Sequence, residues 1–187
     1  MRSKPNVNCL LLVCLFVSGI QALPANAESI PSNYHKIAYE HHIPTAILYG
    51  IALAESGKKL TSGNYKPWPW TLNVAGVPRR YPTRKAAYEG LMYFLQQGIK
   101  LIDIGIMQVN WRYHHKKLGT PWQALEPFNN THTGAQILSE AYNKTGVWKQ
   151  AIGRYHSPGQ SPVQKKRAAR YIKRVMKHID RLNNDKV

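Results

Sequence analysis

Two carboxylates in this chain stand where a carboxyl group could move a proton, and carboxylates are scarce in it: 9 Asp and Glu against 26 Lys and Arg. Glu55 closes the most apolar helical run, PTAILYGIALAES over 44–56, with Ile51 four residues before it and Leu48 seven before. That spacing puts Glu55 on their face of the helix. Partial burial and the negative end of the helix dipole both oppose ionisation. Its pKa should therefore rise, as a general acid working at neutral pH requires. A glutamate at a helix end can equally be solvated, and periodicity alone leaves both readings open. The second carboxylate opens the run Asp103-Ile104-Gly105-Ile106-Met107-Gln108-Val109-Asn110. If its start is extended, Asp103, Gly105 and Met107 share a face, with the amides of Gln108 and Asn110 at the far end. Amides hydrogen-bond the acetamido and hydroxyl groups of amino sugars, and a glycine lets a sugar ring approach the backbone. A buried strand ended by capping amides is the alternative.

The elements that must position these residues are mostly helices. The patterning predicts helices over about 33–42, 44–56, 84–97, 111–118, 131–145 and 147–155, and a basic one over about 161–181. Pro44 starts the second and Gly57 is placed to end it, while Thr83 reads as the N-cap of the third and Gly98 as its stop. Residues 58–69 read as loop. Trp70–Val74 and Val77–Tyr81 flank Ala75-Gly76 as a two-residue hairpin, and Lys100–Val109 reads as a short strand running into a turn. No repeat or low-complexity tract interrupts the chain. The expectation is one α+β domain, mainly helical, with a small β-hairpin.

Charge and the N-terminus narrow the partner. With 187 residues the chain can bury a core, and a formal charge of +17 points to a polyanion: nucleic acid, an anionic membrane or a cell-wall polymer. Arg2 and Lys4 precede an apolar run from Cys9 to Ile20, and Ala25-Asn26-Ala27 then supplies an A-x-A cleavage pattern. Residues 1–27 thus read as a secretory signal peptide, leaving residues 28–187 as the mature domain. Val13 is bulkier than the small residue expected before a lipid-bearing Cys14. Both cysteines leave with the signal, so no disulfide, thiolate nucleophile or Cys-based metal site is expected. Export makes nucleic acid a poor partner and the bacterial envelope, the periplasm in particular, the better one.

The combination of Glu55-Ser56, then Gly105-Ile106-Met107-Gln108-Val109-Asn110, then Ala151-Ile152-Gly153-Arg154-Tyr155-His156 resembles the soluble lytic transglycosylase (SLT) family. It is most similar to the small exported enzymes that accompany conjugation and type III or type IV secretion machines. The Asp before Gly-x-x-Gln-x-Asn also resembles animal-type lysozymes. The likeness covers roughly residues 32–157, and His156-Ser157 departs from the family's Asn followed by a small residue. The resemblance implies a lysozyme-like fold and cleavage of the β-1,4 bond between N-acetylmuramic acid and N-acetylglucosamine in peptidoglycan, leaving 1,6-anhydro ends. It implies Glu55 as the catalytic acid and base, Asp103 as a possible second carboxylate, and Ser56, Met107, Gln108, Asn110 and Tyr155 as substrate contacts. Two alternatives remain beside it: a hydrolytic muramidase using Asp103, and a non-catalytic wall-binding assembly module.

Other features point elsewhere or nowhere. His41-His42 and His114-His115 are adjacent pairs that face different ways on helices, and no H-E-x-x-H occurs, so neither a metal nor a cofactor is expected. Trp68, Trp70, Trp122 and Trp148 read as core or anchor residues, and Trp111, just past Asn110, as the one lining a sugar groove. The last helix carries Lys165, Lys166, Arg167, Arg170, Lys173, Arg174 and Lys177 around a stripe of Ala168, Ile172, Val175 and Ile179. It reads either as a solvated face on a docked helix or as a patch holding the protein to the anionic wall, with at most peripheral membrane contact. A monomer acting on peptidoglycan, alongside components of a type IV secretion or conjugation machine, is the expectation.

Overall fold

The computed structural model describes residues 29–184. The expected signal segment, with Cys9 and Cys14, lies outside the described residues. The chain runs α1 (Ser32–Glu40), α2 (Thr45–Ser56), β1 (Gly57–Lys59), β2 (Tyr65–Pro67), β3 (Thr71–Val74), β4 (Val77–Arg80), α3 (Arg84–Gln96), β5 (Ile102–Ile104) and β6 (Val109–Asn110). It continues through α4 (Trp111–Leu118), α5 (Pro121–Ala124), α6 (Pro127–Asn143), α7 (Trp148–His156) and α8 (Pro162–Asn184). Mainly helical α+β architecture, as the patterning predicts, is what forms.

The centre of the molecule is α2. Leu48, Tyr49, Ile51 and Ala52 are all fully buried, and a helix apolar on every side belongs inside. It packs against α1, α8 and the β1–β2 ribbon. Gly57 ends it as predicted, but by close packing rather than by a left-handed turn. A Cβ there would lie 2.4 Å from both the Leu53 carbonyl oxygen and the Tyr65 ring, so only glycine lets the chain leave α2 into β1.

Four antiparallel strands form a sheet in the order β4-β3-β5-β6. The predicted hairpin is there: Ala75 and Gly76 have φ of 50° and 90°, the paired left-handed residues of a type I′ turn. Thr83 caps α3 by accepting from the Ala86 N–H at 3.1 Å.

Four details differ from the sequence-based expectation. The stretch Lys100–Val109 divides into β5, a tight turn at 105–108 and the start of β6, so Asp103, Gly105 and Met107 share no extended face. Residues read as loop form β1 and β2, whose three-residue strands are too short to show a periodicity. α5 was not expected, although Thr120 and Gln123 form a capping box around Pro121. α6 starts four residues earlier than predicted, because Glu126 caps it through its carboxylate and Pro127 suits the first position.

Candidate active site

Strand register assembles one wall of the site. Asn73 pairs with Asp103 across β3 and β5, and Asp103 pairs with Asn110 across β5 and β6. Directly opposed residues share a face of the sheet. Their neighbours Leu72, Val74, Ile102, Ile104 and Val109 are buried on the other face, in the core. The polar row lines a cleft of about 460 Å³, whose opposite side is built by Glu55, Tyr155 and His156 at the ends of α2 and α7.

Glu55 is placed as the apolar run predicts. Its side chain is only 12 % exposed. Burial pushes its pKa from 4.5 up to about 7; nearby Tyr171 and Arg174 oppose the rise and the Asp103 charge adds to it. His156 Nδ1 stands 4.0 Å from Glu55 Oε1. Burial, with the charges of Arg174 and Arg167, pushes that imidazole below its usual range. The two shifts run in opposite directions, so near neutral pH a proton shared by the pair rests on the carboxyl. The His156 ring lies flat on Tyr171, centroids 4.5 Å apart. Tyr171's buried hydroxyl sits beside Glu55 without meeting full hydrogen-bond geometry.

Asp103 has a different environment. Its Oδ1 accepts a 2.7 Å hydrogen bond from Asn110 Nδ2. Burial raises its pKa and that bond opposes the rise. Oδ1 of Asn73 and Oδ1 of Asn110 are both buried without a partner on residues that line the cleft. They are acceptors for an amide N–H or hydroxyl arriving with a ligand.

The remaining predicted residues divide between the cleft and its support. Gln108 lines the cleft, with Nε2 donating to the carbonyls of Gly105 (2.8 Å) and Thr71 (3.1 Å). Tyr155 lines it too, and its hydroxyl donates to the Met107 carbonyl at 2.8 Å. Ser56 and Met107, expected to touch substrate, are instead fully shielded and absent from the cleft wall. Ser56 Oγ donates to the Ile106 carbonyl at 2.7 Å, so it braces the turn that carries Gln108. Met107 fills space against Gly134, where a Cβ would meet it at 2.8 Å. Gly105 does not admit a sugar ring. It is needed because φ is +80° and a Cβ would lie 2.6 Å from the Asn130 side chain.

Several residues that matter here were not singled out from sequence. Asn130, fully buried on α6, holds the turn by three bonds: Oδ1 accepts from Met107 N–H at 2.8 Å, and Nδ2 donates to the Ile104 and Ala124 carbonyls at 2.9 Å. Asn73 was read only as part of a hairpin. Tyr171 is a buried residue that the basic helix's stripe omitted, although its spacing from Val175 and Ile179 is helical. Among the described residues no tryptophan lines the cleft. Trp111 packs against the core, and the exposed aromatic at the rim is Tyr113. Among the described residues no group of three His, Cys, Asp or Glu gathers as a metal site.

Set beside known proteins, residues 32–179 match the family model described as the transglycosylase SLT domain. No curated protein and no solved structure matches the chain.

Proposed function

The chain belongs to the transglycosylase SLT domain family, and from that premise we propose that it is an exported lytic transglycosylase that cuts peptidoglycan. The bond cleaved is the β-1,4 link from N-acetylmuramic acid to N-acetylglucosamine. One observation carries the reading: a single nearly buried carboxyl with a pKa near 7, open to a cleft with a wall of amide acceptors. Protonated Glu55 donates its proton to the leaving glycosidic oxygen while the substrate's acetamido oxygen supports the anomeric carbon. The Glu55 carboxylate then takes the proton of the sugar's own C6 hydroxyl, which closes a 1,6-anhydro ring. Glu55 ends protonated again, and no water is consumed. A pKa near 7 suits a group that must serve as acid and then as base.

Asp103 supports a second reading. It faces the same cleft, and two carboxyls are what ordinary glycosidases use, so hydrolysis by a muramidase mechanism is the competing outcome. A wall-binding module without turnover is the third. Mass spectrometry of digested sacculi separates them: anhydro-muropeptides are expected, products one water heavier mean hydrolysis, and no release means a binding module. The likeness to enzymes of conjugation and secretion machines supports a local role, opening the periplasmic wall for such an assembly.

A further inference from the structure

A second cavity of about 510 Å³ adjoins the catalytic cleft and shares His156 and Arg174 with it. Its other walls are Arg167, Arg170 and Tyr171. The three arginines are spaced three and four residues apart, so they project from one face of α8. None of them makes an ion pair or a side-chain hydrogen bond among the described residues; Arg174 has the Tyr171 ring 5.1 Å away and the Glu55 carboxyl within reach of its charge. Crowding like charges on one helix face costs stability, and the Glu55 carboxyl near Arg174 offsets little of it, because burial keeps that carboxyl protonated up to about pH 7. Tyr171 and His156 stack to form a flat floor, and His156 is held neutral by its surroundings, so it adds surface rather than charge.

We propose that this arginine-walled cavity is a subsite for the free carboxylates of the peptide stem that hangs from the muramic acid of the substrate. The proposal rests on the transglycosylase reading, because it is the sugar in the adjoining cleft that brings the stem within reach. Guanidinium forks match carboxylates in a two-point geometry, and the shared wall at Arg174 places such an anion in direct continuity with the sugar cleft. Phosphate-bearing wall polymers share the charge but are not tied to the sugar being cut.

The test uses a disaccharide-tripeptide whose single glycosidic bond, from N-acetylglucosamine to N-acetylmuramic acid, is not the one cleaved, so the unsubstituted protein can be titrated. Calorimetry should show this fragment binding about tenfold more tightly than the same fragment with its stem carboxylates amidated. The double variant R167Q/R170Q should bind the two alike; both positions are exposed, and circular dichroism checks that the fold is kept. Equal binding of the two fragments by the unsubstituted protein, or a preference that survives in the double variant, overturns the proposal. So does displacement by inorganic phosphate where acetate at matched ionic strength has no effect, which would assign the cavity to phosphate. Failure of the protein to cut sacculi would remove the enzymatic reading yet leave this binding comparison readable.

Discussion

At Glu55, one carboxyl carries both the chemistry and a cost to the fold. Replacing it by Gln removes the transferable proton while keeping the shape, so Glu55→Gln should lose wall-cleaving activity by at least about a hundredfold in zymography, the usual scale of general acid catalysis. The folded-state pKa is raised from 4.5 to about 7, so the native state holds a proton that the unfolded chain releases. The stabilisation from this one group is therefore fully present below about pH 4.5, declines as pH rises to 7, and is absent beyond. The difference corresponds to about 3 kcal/mol. Glu55→Gln, which has no proton to lose, should exceed the parent protein in denaturant stability at pH 8 by up to that amount, and the advantage should vanish at pH 4. An equal difference at both pH values would mean that Glu55 is not held protonated by burial.

Between elements, the site depends on how β5, the 105–108 turn and α6 are joined. Asn130 makes that joint: one amide satisfies the backbone at Met107, Ile104 and Ala124, all beyond the reach of water. Asn130→Ala would leave those three groups unpaired and should cost about 3 kcal/mol in denaturant unfolding, since each buried orphan costs on the order of 1 kcal/mol or more. Activity should fall with it even under conditions where the variant stays folded, because the same turn carries Gln108 into the cleft. The α2–α8 packing matters in a similar way. Gly50 lets Ile179 approach to where a Cβ would stand 2.9 Å from it, and this close packing brings Tyr171 and Arg174 to the edge of Glu55.

Over the whole molecule, the formal charge of +17 is the dominant long-range property. Among the described residues no helix is long and apolar enough to cross a membrane. On α8, Lys165, Lys166, Lys173 and Lys177 all point to solvent while Val175, Ile179 and Leu182 dock, so the helix is both anchored and cationic. Exchanging those four lysines for Gln should weaken pelleting with sacculi at low salt severalfold and flatten its salt dependence, because exposed charges are screened over about 10 Å at 0.1 M. Unchanged pelleting would make the lysines an ordinary solvated face.

What the sequence by itself determined is local. The apolar run from Pro44 to Ser56 specifies a buried helix, and its period puts Glu55 on the face of Ile51 and Leu48, while leaving open whether the carboxyl itself is solvated. Ala75-Gly76 specifies a tight turn, and Thr83 a helix start. These follow from backbone preference and from one helix's own hydrophobic period, which need no partner. The tertiary structure decided everything that depends on register or on a distant neighbour. Asn73, Asp103 and Asn110 meet only because three strands pair in one alignment. Ser56 and Met107 sit beside the chemical residues in sequence yet point away from the cleft, Ser56 because one helical step turns it from Glu55 and Met107 because the chain turns sharply between Gly105 and Gln108. Asn130, Tyr171 and Arg174 come from helices far along the chain. Residue type carries no record of which buried amide satisfies which backbone group, or of which exposed-looking arginine stands beside a carboxyl. Those relations exist only once the helices have packed.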